Sequence, residues 1–600
     1  MTITLPAAPT MSSWQRVRST VRTHRVFLVL LGVAGLLRLV IMEAYHPAFW
    51  YDGDSGSYLS ATGRPLAPTA QLASGYVVFL KVLRFTGLTT SITYVQHLLG
   101  LGIAVGVYVL LQRRGVARWV SCLAVTPLLF DSLVLTIEHH ILVETLYTAL
   151  LCGAIGVLLW RRPTVRVGMV SGALMAAAWF VKPLALPLVV VLAGYLMLRR
   201  TGWRTWTAFL LTFAVGYLGA LIWVNGRASP YDSNNIAFYS RVAGFAHCDT
   251  LVLTEQERTL CPAPDILGHR PDWYAWVSQS PGYPYRNNRS GDPILRDFAL
   301  AVVTQQPGDY ARAVSREVEA HFVDGVELGP EFDCLNGRYS MPADVRVEGG
   351  GECHPQMAAP YFSSPHVAPK FLPGPTPLTN ALASYSRVAH TPRLAVTGVF
   401  VLVLVALLFR GRWRRRQMMN GSRVEMAGRR GPEALVGDAV MLAVVSLAII
   451  VLPVLVGMYE PRYALPALPF LALAAGFAAR SLSLGFRRAQ PAVPPAVSVS
   501  FPAGPSGPVG AAGPGSAAGP VEPVVVGTST VPPIPAEPPE PPDPADPPDG
   551  SEAVRGAPEV PGARATNMRV RWAFWTGAVH RSTGNRRRGR DGRTNAARTG

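Results

Sequence analysis

The sequence PAFWYDGDSGSYL, residues 47–59, follows closely on an apolar run at Val26–Ala44. A run of roughly 20 apolar residues spans the hydrocarbon core of a bilayer as one helix. Asp52 and Asp54 therefore lie just beyond the point where this helix leaves the membrane, beside the aromatic residues 49–51, which suit the headgroup region. Because an acid buried in a membrane costs about 2.5–3.5 kcal/mol, carboxylates at a helix mouth indicate a site. The alternative is a solvated loop with incidental aspartates.

The composition is also that of a membrane protein, since 49% of the 600 residues are hydrophobic and only 15% are charged. The formal net charge of +18 could indicate a nucleic-acid partner. Much of the positive charge, however, lies in short loops between apolar runs, which is typical of membrane orientation, so no nucleic acid is expected. Arginines precede a first run too long for a signal-peptide core, and we expect a retained first helix that starts in the cytoplasm.

Apolar runs recur along the chain, and we expect a polytopic α-helical membrane protein with about ten transmembrane helices. A shorter apolar segment, Tyr76–Arg84, predicts a helix that lies along the membrane surface. The predicted spans are Val26–Ala44, Ile92–Leu111, Trp119–Ile137, Ile141–Trp160, Val167–Val181, Pro183–Leu198, Trp206–Val224, Leu394–Phe409, Ala434–Val456 and Ala464–Ala479.

The loops between these spans predict the orientation of the chain in the cell membrane. With the N-terminus inside, Arg113–Arg114, Arg161–Arg162, Arg199–Arg200 and the cluster Arg410–Arg416 all face the cytoplasm, as the positive-inside rule requires. Both termini are then cytoplasmic. The predicted organisation is a cytoplasmic N-terminus at 1–25, a transmembrane core at 26–224 with a catalytic first external loop at 45–75, a small external domain at 225–393, C-terminal transmembrane helices at 394–480 and a cytoplasmic tail at 481–600.

The external segment contains Cys248, Cys261, Cys334 and Cys353, an even number in an oxidising compartment. We expect two disulfides, and the sequence leaves all three pairings open. The tail changes character abruptly: residues 490–562 are rich in Pro, Ala, Gly and Val, which predicts disorder. Its basic end, residues 564–600, suits either an anionic inner leaflet or a solvated tail.

A second acidic group, EHHILVE at residues 138–144, falls at the outer mouth between the third and fourth spans. His140 and Glu144 are four residues apart, which puts them on one face if the fourth helix begins there. That pair could hold a metal ion, a sugar or a phosphate. The alternative is a polar helix end whose acid is favoured by the helix dipole.

A third group, MYEPRY at residues 458–463, lies at the outer mouth of the last pair of spans. Glu460 and Arg462 either pair with each other or present the arginine to a phosphate. Lys182 lies at the same outer level and either meets an anion or extends to the headgroups. Arg38, inside the first span, should pair with a neighbouring acid or extend outward. The sequence contains neither a G-x-x-x-x-G-K phosphate loop nor an H-E-x-x-H zinc motif.

These motifs resemble those of the GT-C glycosyltransferases, membrane enzymes that use polyprenyl-phosphate sugars and include the protein O-mannosyltransferases and the aminoarabinose transferases. Such enzymes carry an acidic D-E-x-x-Y motif in the first external loop. DSGSY, residues 54–58, matches it at Asp54 and Tyr58, with Ser55 in place of the glutamate. EPRYALP, residues 460–466, is similar to their late E-R-Y-x-L-P segment with Pro461 inserted. The resemblance covers roughly residues 25–480.

The resemblance implies inverting transfer of a sugar from a polyprenyl-phosphate donor to an acceptor outside the membrane, which could be a cell-envelope glycan, a lipid or a protein. Asp54 would be the general base, and Asp52 could assist it. Arg462 and Lys182 would stabilise the charge of the departing phosphate. No redox cofactor is implied, and a divalent metal is left open. The substrate-binding residues would be Tyr58, Glu138, His139, His140, Glu144, Lys182, Glu460, Arg462 and Tyr463.

Two other classes fit parts of the sequence. A transporter or flippase often shows internal repeats and broken helices near the membrane midplane. No convincing repeat is present, and the polar groups cluster at one surface instead. A non-catalytic scaffold would explain the proline-rich tail, but not acids and an arginine at the same outer level.

Overall fold

The computed structural model describes residues 13–487, apart from gaps at 52, 65–73, 161–162, 226–234, 287–291, 345–352, 354, 365–374 and 420–431. Asp52, one of the two predicted catalytic carboxylates, lies outside the described residues. The predicted disordered and basic tail also lies outside them.

The described chain is mostly helical. Its first half contains α1 (Ser13–Thr23), α2 (Arg25–Ala44), α3 (Asp54–Thr62), α4 (Ser74–Leu83), α5 (Thr90–Arg113), α6 (Arg118–Phe130), α7 (Ser132–His139), α8 (Glu144–Trp160), α9 (Val165–Val181), α10 (Ala185–Leu198) and α11 (Trp203–Asn225). The second half contains α12 (Ile236–Ala243), α13 (Glu255–Arg258), α14 (Pro271–Trp276), α15 (Asp292–Gln305), α16 (Pro307–Glu319), α17 (Pro330–Gly337), α18 (Pro377–Val388), α19 (Arg393–Met419), α20 (Pro432–Val456), α21 (Pro461–Ala464) and α22 (Leu468–Arg487). Two short strands, β1 (Phe49–Trp50) and β2 (Gln356–Met357), pair antiparallel.

Every predicted span overlaps helix in the structure, but the helices differ in length. Among the described residues, six helices are long and apolar enough to cross a membrane, and the bent pair α6 and α7 would make a seventh. Helices α8, α9 and α10 are apolar but shorter. These are the features of a multi-pass membrane protein, while the count of about ten spans stays a prediction. The segment predicted to lie on the surface is helical, as α4.

The third predicted span is not one continuous helix, because α6 and α7 meet at an angle of 46°. Asp131 ends α6 in an extended conformation and caps α7, accepting hydrogen bonds from Leu133 N at 2.8 Å and Val134 N at 3.3 Å. Arg38 of α2 donates to the carbonyls of Leu128 and Leu129, at 3.2 and 3.0 Å. The side chains of Asp131 and Arg38 thus satisfy the backbone groups that the break exposes.

Helices α9 and α11 pack with their backbones in close contact. A side chain at Gly168 would approach the carbonyl of Thr205, and one at Gly172 would overlap the carbonyl of Phe209. Small residues at these positions allow the two helices to approach each other, as is common between membrane helices.

The segment predicted as an external domain has two structural parts. Helices α12, α14 and α15 share an apolar core of their own, which includes Tyr239 and Phe298. The later part contributes Phe332 and Tyr339 to the core of the long helices. The two predicted disulfides are confirmed, with the pairing Cys248–Cys261 and Cys334–Cys353.

Candidate functional site

The first and second acidic motifs are joined by backbone and side-chain hydrogen bonds. Ile141 N donates to Phe49 O at 3.1 Å, and Ser55 Oγ donates to Ile141 O at 3.0 Å. The same hydroxyl accepts from Tyr51 N at 2.9 Å. Ser55 is fully buried. A serine at this position therefore ties the start of α3, where Asp54 lies, to the chain just before α8.

Asp54 begins α3, after Gly53, which has a positive φ of 86°. Its carboxylate is 37% exposed, and Oδ2 accepts a hydrogen bond from Arg462 Nη1 at 2.7 Å. The arginine side chain is only 8% exposed. The structure thus brings the first acidic motif and the E-P-R-Y motif into direct contact, with one face of Asp54 open.

Arg462 lies among three carboxylates and an aromatic ring. Its Nε is 2.8 Å from Glu460 Oε1 and 3.9 Å from Glu144 Oε1. That N–H is aligned for a hydrogen bond to neither oxygen, so both contacts are ion pairs only. The guanidinium lies over the ring of Tyr51, 4.3 Å from its centre. The sequence left pairing of Glu460 with Arg462 open, and the structure shows this pair together with the contact to Asp54.

Lys182 pairs with the second acidic motif and does not stand alone. Its Nζ is 3.0 Å from Glu144 Oε1 and lies over the ring of Tyr463, 4.3 Å from the centre. The other carboxylate oxygen, Glu144 Oε2, and the hydroxyl of Tyr147 are buried without a hydrogen-bond partner among the described residues. Buried polar atoms without a partner are rare in native proteins, so these two could bind a ligand.

Glu460 is held by two tyrosines. Its Oε1 accepts from the hydroxyl of Tyr51 at 2.8 Å and from the hydroxyl of Tyr339. Burial acts to raise the pKa of Glu460, but the charge of Arg462 and the two hydroxyl donors outweigh burial and lower it. Glu460 is therefore an anion in the folded protein. Neither tyrosine was predicted from sequence, although Tyr51 lies three residues before Asp54.

Glu138 and His139 are held by partners outside this cluster, and their place in the binding site stays a prediction. Both oxygens of Glu138 accept from Arg38, at 2.8 and 3.0 Å, and Oε2 also lies 2.8 Å from His97 Nδ1. His139 Nε2 lies 2.7 Å from the carbonyl oxygen of Tyr45. Helix α7 directs Glu138 toward Arg38 of α2 and His139 toward Tyr45. Glu138 is thus the neighbouring acid with which Arg38 was expected to pair.

His140 and Glu144 do not share a helix face, because the condition for it, a fourth helix that already includes His140, is not met. His140 has extended backbone angles at the end of α7, and α8 begins only at Glu144. Burial lowers the pKa of His140 to about 4, so the ring is neutral near pH 7. Its Nε2 has no hydrogen-bond partner among the described residues. Tyr58 is buried against Tyr76, with 5.2 Å between the ring centres.

No three His, Cys, Asp or Glu side chains come together as a set that could hold a metal ion, within the part of the chain that the structure describes. The predicted site residues that do converge are Asp54, Glu144, Lys182, Glu460, Arg462 and Tyr463, which we call the charged cluster.

No protein-family model and no curated protein matches the chain. Among solved structures, ArnT from Cupriavidus metallidurans in the apo state is similar over 77% of this chain and 78% of its own. The identity is 15% and the TM-score 0.26. A superposition with that score is too loose to support an inference about fold or activity.

Proposed function

We propose that this protein is a membrane glycosyltransferase that moves a sugar from a polyprenyl-phosphate donor to an acceptor outside the membrane, with inversion. The main support is the 2.7 Å contact between Asp54 and Arg462, which joins an exposed carboxylate to a buried cation. A base and a phosphate-binding group next to each other are what such a transfer needs. The apolar helices around them suit a donor with a long hydrocarbon chain.

In this proposal Asp54 removes the proton from the acceptor hydroxyl, and Arg462 and Lys182 stabilise the charge on the departing phosphate. Arginine suits phosphate because its planar guanidinium donates two parallel hydrogen bonds. In the structure, Arg462 donates a hydrogen bond to Asp54. A donor phosphate would compete with Asp54 for Arg462, and the carboxylate would then be free to act as a base.

Glu144 and Tyr147 have roles that follow from their positions. Glu144 holds Lys182 through Oε1 and leaves Oε2 without a partner among the described residues. This carboxylate oxygen of Glu144 and the hydroxyl of Tyr147, whose ring centre is 5.9 Å from Lys182 Nζ, suit the hydroxyls of a sugar. We therefore propose that the sugar of the donor binds on the Glu144 side of Arg462, and the acceptor on the exposed side of Asp54.

The test is transfer of labelled sugar from a panel of polyprenyl-phosphate donors by membranes that contain matched amounts of each variant. Asp54→Asn keeps the size of the side chain and removes the base, and we expect transfer to fall by at least about a hundredfold. Glu43→Gln is the matched control, because Glu43 is an exposed carboxylate at the end of α2, outside the charged cluster. Equal transfer by wild type and Asp54→Asn would remove Asp54 as the base. An absence of transfer by wild type across the panel would contradict the proposed function.

A further inference from the structure

Tyr339 lies where all three predicted motifs meet, although it comes from none of them. Its ring stacks on Tyr51, with 5.8 Å between the centres, and lies 6.0 Å from the ring of His140. Its hydroxyl donates to Glu460. The side chain is 4% exposed. One residue of the segment 225–393 thus contacts the first, second and third motifs together.

The local fold explains why Tyr339 is held firmly. Helix α17 ends at Gly337, and the disulfide Cys334–Cys353 ties the helix to the following chain. A Cβ atom on Gly337 would overlap the carbonyl oxygen of Cys353, so the backbones at these two residues approach each other closely. Arg338, next to Tyr339, donates to the hydroxyl of Tyr51 at 3.4 Å. The end of α17 therefore covers Tyr51 and Glu460 as a unit.

Glu460 connects Tyr339 to the proposed phosphate-binding group. The oxygen that accepts the Tyr339 hydrogen bond, Oε1, is also the one 2.8 Å from Arg462 Nε. Because Glu460 is buried, its carboxylate depends on these partners for stabilisation. Loss of one hydroxyl donor would let the carboxylate move or take up a proton, and Arg462 would lose a fixed anion beside it.

We propose that Tyr339 is a positioning residue that holds Arg462 in place for the donor phosphate through Glu460. Its role in transfer depends on the proposed function. The hydrogen-bonded coupling of Tyr339 to Glu460 does not depend on the proposed function, and it can be measured on the purified protein alone.

The first experiment compares the kinetics of wild type, Tyr339→Phe and Glu460→Gln with a polyprenyl-phosphate sugar. Tyr339→Phe removes a single hydroxyl, and we expect the KM for the donor to rise about tenfold, because a hydrogen bond to a charged group is lost. The KM for the acceptor should stay the same. In the Glu460→Gln background, Tyr339→Phe should raise the donor KM by less than a further twofold. An equal rise in the donor and acceptor KM values would contradict the positioning role. So would fully additive effects of Tyr339→Phe and Glu460→Gln on the donor KM.

Tyr385→Phe is the matched control, since Tyr385 also donates its hydroxyl to a single acceptor, the carbonyl of Phe130, away from Glu460. This variant should leave the donor KM unchanged.

The second experiment measures the melting temperature of the same variants in detergent, where no substrate is needed. The shifts caused by Tyr339→Phe and Glu460→Gln should be non-additive, while those of Tyr385→Phe and Glu460→Gln should add. If wild type transfers no sugar but the first pair is non-additive, the proposed function fails and the coupling stands. Additive shifts for Tyr339→Phe and Glu460→Gln would overturn the coupling itself.

Discussion

At the scale of single residues, Arg462 combines several contacts that a lysine cannot reproduce. Its Nη1 reaches Asp54, its Nε faces Glu460 and Glu144, and its flat guanidinium covers the ring of Tyr51. An ammonium group is a point charge on a flexible stem and can occupy only one of these positions at a time. The geometry of the guanidinium is therefore as important here as its charge.

The substitution Arg462→Lys tests this point. We expect donor binding to weaken by about tenfold or more, because one cation can no longer contact Asp54 and Glu460 together. The measurement is the donor KM, together with the melting temperature in detergent. Arg387→Lys is a suitable control, since Arg387 is an exposed arginine on α18. Unchanged donor KM in Arg462→Lys would show that charge alone is sufficient.

The buried His140 predicts a pH dependence of stability. Burial lowers its pKa to about 4 in the folded protein, below an unfolded value of about 6.5. The unfolded state therefore binds more protons between these values, and the folded state loses stability as the pH falls from about 6.5 to about 4. The loss for such a difference is on the order of 3 kcal/mol.

His140→Gln should make this part of the pH dependence shallower, which can be measured as the difference in melting temperature between pH 7 and pH 4.5. His321 shows the same direction of shift, with burial lowering its pKa to about 3, and so remains as a background contribution. An identical slope in wild type and His140→Gln would mean that His140 is not buried in its neutral form.

At the scale of secondary-structure elements, the chain just before Glu460 is held by helices from the segment 225–393. Glu317 of α16 accepts from the backbone N of Tyr459 at 2.6 Å, and Arg241 of α12 donates to the carbonyl of Gly457 at 3.4 Å. The two side chains pair with each other at 2.5 Å and are almost fully buried. These contacts fix the turn between α20 and α21, which carries the third motif.

Removal of Glu317 alone should lower the free energy of unfolding more than removal of both members of this pair. Glu317→Leu leaves Arg241 buried without its carboxylate, for which we expect a loss of about 3–5 kcal/mol. The double variant Glu317→Leu with Arg241→Met should recover part of that loss, because no charge is left unpaired. Denaturant or thermal unfolding in detergent measures both. A double variant no more stable than Glu317→Leu alone would contradict the expectation.

At the scale of the whole molecule, the charged cluster and a second ionic group lie at opposite ends of the helices. Asp54, Lys182 and Arg462 share one end. At the far ends of α5 and α10, Arg114 and Arg199 pair with the buried Asp438 of α20, at 3.4 and 3.2 Å. Arg114 and Arg199, two of the arginines predicted to face the cytoplasm, thus lie away from the candidate site, while the orientation itself stays a prediction.

Cysteine accessibility tests this orientation. Ser57→Cys lies three residues after Asp54, and Ser422→Cys lies in the sequence between the end of α19 and the start of α20. In intact cells a membrane-impermeant thiol reagent should label the first variant and not the second, and permeabilised cells should show labelling of both. The unmodified protein, whose free cysteines Cys122 and Cys152 are buried or partly buried, provides the background. Labelling of both variants in intact cells would break the proposed topology.

The helical, membrane-spanning character of this protein could be predicted from sequence, because hydropathy is a local property and each apolar run carries its own signal. The positions of Asp54, Lys182 and Arg462 at helix ends follow from the same runs. The break between α6 and α7 was missed, since it depends on the cap at Asp131 and on Arg38 of a different helix.

What only the tertiary structure decided is which of these side chains meet. Arg462 contacts Asp54 across 408 residues of sequence, whereas Glu138, six residues from Glu144, turns toward Arg38 instead. Tyr339 reaches all three motifs from a segment whose local sequence has no signal for it. Hydropathy places each helix end at a membrane surface, but the neighbours of a side chain depend on how the helices pack against one another.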